Sequence, residues 1–297
     1  PLLFVFPLMA LFIWWSIRVS LGPLRHLGQE IGLRKASSLQ ALEEEKAVKE
    51  VQPLVQALNQ LFKRVEVQMA SERQFTSDAA HELRTPVAAI RMQAQVAMGA
   101  TAADVQKQAL QALMDGCDRA TRLISQLLEL SRLDAAERYE DTLSQQAVDV
   151  IALTRQQLAE SGHAWIAKQQ TLDFDAPEKL WLYVNPEWLT IVVRNLIDNA
   201  SRYSPLGAHL QVTWQDGPEP MLTVEDSGPG MTASDRVRLG DRFFRVLGTE
   251  ATGSGLGWSI VRKISQLTQV KVQLGTSPNL GGLQVVMVWP KDRKVVS

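Results

Sequence analysis

The spacing of apolar residues changes along the chain, and each change predicts a different kind of element. From Pro1 to Ile17 the run "PLLFVFPLMALFIWWSI" holds no charged side chain. It is slightly shorter than the roughly 20 residues that span a bilayer core. It therefore predicts a transmembrane helix over residues 1–20, truncated at its N-terminus, and the start on Pro1 rather than Met predicts further sequence upstream. Trp14 and Trp15 stand where an interfacial aromatic belt lies, and Arg18, Arg25, Arg34 and Lys35 follow. By the positive-inside rule the chain after about residue 18 is expected in the cytoplasm. A signal peptide fits poorly, because no basic leader or small-residue cleavage site is visible. A buried soluble helix is the alternative for this run.

Beyond the first run the apolar period becomes helical. "LGPLRHLGQEIGLRKASS" predicts a short helix opened by Pro23, followed by a polar connector over Arg34 to Lys46. Val51, Leu54, Leu58, Leu61, Val65 and Met69 are spaced by three and four, the seam of a coiled coil. Residues 21–70 thus fit either a two-helix signal relay or a plain coiled-coil stalk. A further helix is predicted over roughly Glu66 to Met98, with Phe75, Ala79, Leu83, Val87, Ile90, Ala94 and Ala97 on one face. Thr101 with Asp104 reads as a capping box that opens the next helix. Its seam is Leu110, Leu113, Cys117, Ala120, Ile124 and Leu127, which makes Cys117 a small core residue. Two such helices cannot bury both faces alone, so they predict a hairpin that dimerises into a four-helix bundle.

After about Ala135 the pattern changes class. Strands are predicted at "TLDFDA", "LWLYVN", "HLQVTWQ", "MLTVEDSG", "KVQLG" and "LQVVMVWP". Between them lie a helix capped by Asp149, a long helix begun by Pro186, and a helix in "GLGWSIVRKISQLTQ". The imperfect alternation favours an α/β sandwich with a mixed sheet.

Composition narrows the function. The 297 residues suffice for about two domains. A net charge of -1 argues against direct nucleic-acid binding, which usually brings a strong basic excess. One cysteine excludes a disulfide framework within the chain and is compatible with a reducing compartment.

Candidate chemistry begins in "FTSDAAHELRTPVAAI". His81 lies roughly 180° from the apolar stripe and so points outward, with Thr85 one turn along the same face. Glu82 sits on the flank, and Pro86 withholds the N–H that would reach the Glu82 carbonyl. A carboxylate beside an accessible imidazole can take its proton as the ring attacks an electrophile. The hydroxyl of Thr85 could instead orient water. An ordinary exposed histidine beside a kink fits the same residues. Asn195 and Asn199 share a helix face and offer oxygen ligands of the kind Mg²⁺ accepts, although solvated surface is the better reading of two helical asparagines taken alone. Arg202 and Tyr203 add a phosphate donor and a flat ring. Asp226 ends a strand and is followed by Gly228 and Gly230; a buried carboxylate there could accept from an exocyclic amine. Gly253, Gly255, Leu256 and Gly257 run into a helix N-terminus, an anion site that as a lone glycine motif is weak. Phe243, Phe244 and Arg245 suit a lid hinge or plain core.

The order of these pieces carries a resemblance. "HELRTP", "NLIDNA", "DSGPG", "FFR" and "GSGLG" resemble, in sequence, the H, N, G1, F and G2 boxes of bacterial sensor histidine kinases. "FTSDAAHELRTP", "DRATRLISQLLELSRLD" and "RNLIDNASRYSP" look most similar to the QseC-like subgroup. The resemblance implies a multidomain fold. Its parts are a transmembrane helix (1–20), HAMP-like helices (21–70), a dimeric four-helix-bundle histidine phosphotransfer domain (71–138) and an α/β sandwich ATP-binding domain of GHKL type (145–292). It implies an inner-membrane homodimer that uses ATP and Mg²⁺. His81 would be phosphorylated, with Glu82 as general base, Thr85 positioning water in a phosphatase reaction and Arg245 in the catalytic lid. Asn199 would bind Mg²⁺ with Asn195 in support, Arg202 would meet phosphate, Tyr203 the adenine region and Asp226 the adenine amino group. Gly228, Gly230, Gly253, Gly255, Leu256 and Gly257 would shape the pocket and lid. No receiver-like segment follows residue 292, so the phosphoryl group is expected to pass to an aspartate of a separate response regulator, of OmpR-like type. The resemblance departs at Trp258, where an aliphatic residue is usual, and at "TQV" near the end of the last helix.

Overall fold

The computed structural model describes residues 51–138, 144–245 and 253–295, and before them only positions 6, 9–15, 17, 18, 22, 29, 41 and 42. The expected membrane span over 1–20 and the helix opened by Pro23 therefore lie largely outside the described residues. Among the described ones no helix is long and apolar enough to cross a membrane. The chain forms two compact units, Pro1–Asp78 and Ala79–Ser297.

In the first unit a small apolar cluster gathers Leu42, Val51 and Val55, with Leu58 and Phe62 against it. Asn59 closes it by bonding the Leu42 backbone on both sides, accepting from its N–H at 2.7 Å and donating to its carbonyl at 3.0 Å. Helix α1, Gln52–Gly99, is a single helix of 48 residues, not the two expected over 51–69 and 66–98. The apolar stripe shifts phase near Met69, but no glycine or proline interrupts the helix there, and Ser71 stays helical. The expected boundary at residue 70 therefore falls inside a continuous helix. Pro86 is accommodated without ending α1.

In the second unit α2, Ala103–Arg138, follows after a short turn. The expected Thr101–Asp104 capping box does not open it: the Gln106 N–H donates to the Ala102 carbonyl, and the Gln106 side chain reaches back to the Ala97 carbonyl at 3.3 Å. The buried side of α2 carries Ala109, Gly116, Leu123 and Leu130, with Leu113, Ala120 and Leu127 half-buried between them. Gly116 admits Ile90 of α1 so closely that a Cβ there would stand 2.8 Å from Ile90 Cγ1. The expected Leu113, Ala120 and Leu127 thus lie on the seam, whereas Ala109, Gly116 and Leu123 take the places expected for Leu110, Cys117 and Ile124. Leu110, Met114, Ile124 and Leu128 are exposed, and so is Cys117, which is therefore not a core residue of the single chain. The apolar surface of α2 is wide enough for two faces, and the periodicity merged them.

The α/β part begins with β1, Gln146–Asp149, and α3, Val150–Ala167, where Asp149 caps the helix by accepting from Ile151 and Ala152 N–H. Next come β2, Thr171–Asp175; β3, Trp181–Val184; and α4, Pro186–Tyr203, capped by Asn185. After them lie β4, His209–Gln215; β5, Met221–Asp226; α5, Ala233–Arg238; α6, Gly257–Thr268; β6, Lys271–Thr276; and β7, Leu283–Val288. The strands order as β2-β4-β5-β7-β6, with β2 parallel to β4 and the rest antiparallel, beside a separate β1-β3 pair. The mixed sheet is as expected; β1 and α5 were not, being too short for a period to show.

Helices α4 and α6 pack on β5 and β6, and α3 packs on α4. The core between them holds Leu189, Val192, Val193, Leu196 and Ile197 of α4 and Ile260, Val261 and Ile264 of α6, over Leu210, Val212, Leu222 and Met287. Each such side chain contributes about 1.5–3 kcal/mol through burial. Trp214 Nε1 donates to Thr154 Oγ1 at 3.0 Å, tying α3 to the sheet.

Candidate functional site

Helix α4 spends one face on the core and presents another to a cavity. Asn199, Arg202 and Tyr203 line that cavity together with Asp226, Gly230, Arg245, Gly255 and Gly257. Its empty space, open solvent at the mouth included, is about 980 Å³. Leu196, Ala200, Val224, Met231, Leu283 and Trp258 give it an apolar wall.

Asp226 ends β5 and is only 6% exposed. Its Oδ1 accepts from the Gly228 N–H at 2.9 Å and from the Leu283 N–H at 3.2 Å. Among the described residues its Oδ2 has no hydrogen-bond partner, which leaves it for the cavity that Asp226 lines. Burial pushes the carboxyl above its ordinary pKa, and the two backbone donors pull it back. The Leu283 donor opens β7, and the two glycines just before it are what sequence reasoning passed over. Gly282 there lies so close to Asp226 that a side chain would collide with its carbonyl and carboxylate, and its N–H donates to the Asp226 carbonyl at 3.1 Å. The signal was available as the pair Gly281–Gly282 just before an alternating strand.

The other glycine segment is equally constrained. Gly255 has φ of +70°, and a Cβ on it would stand 2.6 Å from the Phe243 carbonyl carbon and 2.8 Å from the Phe244 oxygen. This contact brings "FFR" and "GSGLG" together. Gly257 opens α6 against α4, where a Cβ would meet Asn195 Oδ1 at 2.6 Å. Asn195 itself is buried, donates to the Ile191 carbonyl at 2.8 Å and does not line the cavity. Gly228, Gly253 and Leu256 are likewise absent from the lining; Leu256 is fully buried, and a Cβ on Gly253 would touch Arg202 Nη1 at 3.0 Å.

Among the described residues no group of three His, Cys, Asp or Glu side chains is placed to hold a metal ion. What the cavity offers is the carboxamide of Asn199 near Arg202. That donor set fits Mg²⁺, which takes most of its ligands from phosphates and water.

On α1, His81 and Thr85 are exposed and Glu82 is half-buried. Thr85 Oγ1 lies 3.5 Å from the His81 carbonyl, within the turn that precedes Pro86. The outward direction read from the helical wheel is the one observed.

One further set of contacts escaped the sequence. Helix α2 holds the α/β layer through Arg194 with Glu129 and Arg242 with Asp134, both at 2.8 Å, and Lys263 with Asp134 at 3.2 Å. Ser254 Oγ also donates to Gln126 Oε1 at 2.6 Å. Partly exposed ion pairs are worth about 0–1 kcal/mol each, so these bonds orient the α/β layer on α2 more than they stabilise it.

Comparison with known proteins agrees with this arrangement. Residues 184–293 match the histidine kinase-, DNA gyrase B- and HSP90-like ATPases, 71–136 the His Kinase A phospho-acceptor domain, and 21–66 a PhoQ-like HAMP domain. Sensor protein QseC of Salmonella typhimurium is 39% identical over 293 residues, covering 97% of this chain and 63% of that protein. The chain thus spans somewhat less than two thirds of the QseC relatives it matches. Sensor protein BasS of Escherichia coli is 30% identical over 301 residues, covering 100% of this chain and 80% of that protein. The structure of the Acinetobacter baumannii histidine kinase AdeS shares the fold, with a TM-score of 0.58 at 22% identity over 72% of this chain and 98% of that one. With three consecutive domain matches and a curated relative covered over four fifths of its length, the chain belongs to the sensor histidine kinases.

Proposed function

We propose that the chain is the cytoplasmic and membrane-proximal part of an ATP-dependent protein-histidine kinase that phosphorylates itself on His81. The observation that carries this reading is the cavity of Asp226. It combines an unclaimed carboxylate oxygen, an apolar wall, a carboxamide and an arginine, and the same chain presents an accessible imidazole beside a carboxylate. An adenine amino group donates to Asp226 and Arg202 meets phosphate, while Asn199 would hold Mg²⁺, which would offset charge on the phosphates. One ring nitrogen of His81 forms a bond to the γ-phosphorus, the bond from that phosphorus to the bridging oxygen breaks, and ADP leaves with the electron pair. Glu82 takes the proton from the other ring nitrogen. The phosphoryl group then passes to an aspartate oxygen of a separate response regulator of OmpR-like type. Thr85, on the His81 face, orients water for the reverse duty of dephosphorylating that partner. Residues 1–20 anchor the protein in the bacterial inner membrane.

Incubation with γ-labelled ATP tests the reading. A label that survives base and is lost in acid supports phosphohistidine; nucleotide hydrolysis with no label on the protein would reduce the chain to an ATPase and overturn the kinase assignment.

The protein acts as a homodimer in this proposal, and the exposed stripe Leu110, Met114, Ile124 and Leu128 supports it. Ile124→Lys leaves the single-chain core intact but places a charge on that stripe in both copies. Burying an unpaired polar group costs about 1–3 kcal/mol or more, so dimer affinity should fall at least about 100-fold. Light scattering during size-exclusion chromatography reads the outcome, and an unchanged dimer would place the interface elsewhere.

A further inference from the structure

The C-terminal end of α4 is held in an unusual way. A helix leaves its last four carbonyls without partners, and a left-handed glycine commonly satisfies them. Here Ser204 follows in an extended conformation and Pro205 comes next, so no such cap forms. Instead Lys168, at the end of α3, extends its ammonium group to the carbonyls of Ser201 at 2.8 Å, Arg202 at 3.0 Å and Ser204 at 3.3 Å. Gln170 Nε2 donates to the carbonyls of Ser201 at 2.9 Å, Pro205 at 3.0 Å and Ser204 at 3.2 Å. Ser201 Oγ returns a bond to Gln170 Oε1 at 2.7 Å.

We infer that Lys168 and Gln170 are positioning residues of the nucleotide site, clasping the end of α4 so that Arg202 and Tyr203 meet the ligand. The carbonyls they hold bracket those two side chains, both of which line the cavity. The clasped segment also abuts the Asp226 turn. A Cβ on Gly228 would stand 3.1 Å from the Tyr203 carbonyl oxygen, 3.3 Å from Ser204 Oγ and 2.9 Å from Asp226 Oδ1. A slip of the α4 end therefore disturbs both the phosphate side and the base side of the cavity. Lys168 holds this place at some electrostatic cost: burial and the neighbouring Arg202 cation both push its pKa down. The helix-end carbonyls, negative by their dipoles, offset that cost.

The inference rests on the proposed nucleotide reading, and the test separates the two. Binding of a non-hydrolysable ATP analogue with Mg²⁺ is measured by calorimetry on the intact chain, well below its melting temperature. Alongside it are measured the melting temperature and the labelling rate at saturating ATP. Lys168→Met keeps the aliphatic stem and removes the donors. It should weaken binding about tenfold while the labelling rate at saturation stays within about twofold, and Lys168→Arg should recover most of the affinity. Gln170→Met should act in the same direction and serves if Lys168→Met does not fold. A folded variant with a lower melting temperature but unchanged affinity would assign the clasp to stability alone and overturn the inference, as would loss of folding in both variants. A wild-type chain that binds no adenine nucleotide would instead remove the nucleotide reading itself.

Discussion

Replacing His81 by glutamine should abolish labelling of the protein by γ-labelled ATP, by at least about 10³-fold, while nucleotide affinity stays within about twofold. The two effects separate because His81 is exposed on α1 and does not line the cavity. Glutamine preserves length and helix propensity but has no ring nitrogen with a lone pair able to attack phosphorus. Glu82 then has no proton to receive. Acid-labile label on the His81→Gln protein would move the phosphosite to another residue. Loss of nucleotide binding in that protein would show that the substitution acts through the fold and not through the chemistry.

Asp226→Asn should weaken ATP-analogue binding about 100-fold, the upper end of what a buried polar group left unpaired costs. The argument is one of handedness within the carboxylate. Oδ1 is already claimed by the N–H groups of Gly228 and Leu283, and both are donors. The introduced carboxamide must keep its oxygen there, so its NH₂ group faces the cavity and meets the adenine amino group donor to donor. The same variant should gain relative preference for a 6-oxo purine nucleotide, whose carbonyl accepts from that NH₂. Titration calorimetry with both nucleotide types reads this inversion, and equal losses for both would argue against Asp226 as the base reader. The wild-type carboxyl is raised by burial, and only its ionised form accepts at both oxygens. Affinity for ATP should therefore fall as pH drops through that raised pKa, and Asp226→Asn should remove this part of the pH dependence.

The chemistry-bearing residues were legible because each belongs to a local pattern. His81 and Thr85 are one helical turn apart, and a wheel suffices to place them outward. Asn195 and Asn199 share the same spacing, yet the structure gives them different places. Asn199 reaches the cavity, whereas Asn195 is buried against Gly257 and satisfied by its own helix. That difference depends on where α6 crosses α4, which no spacing within α4 encodes. The seam of α2 was misread at Leu110, Cys117 and Ile124 for a related reason. Its apolar surface serves the hairpin on one side and remains exposed on the other, and a stripe wide enough for two faces does not say which partner takes which.

By itself the sequence determined the types of the elements from Val150 onward apart from the short α5, the mixed α/β character, the outward histidine and the acidic end of β5, since hydrophobic period and cap chemistry are local properties. Only the tertiary structure decided that α1 runs unbroken through residue 70, that Gly282 and Leu283 complete the Asp226 corner, and that Lys168 closes the end of α4 from 33 residues away. These depend on long-range packing, where a glycine matters for what approaches it and a lysine for which helix-end carbonyls it can reach.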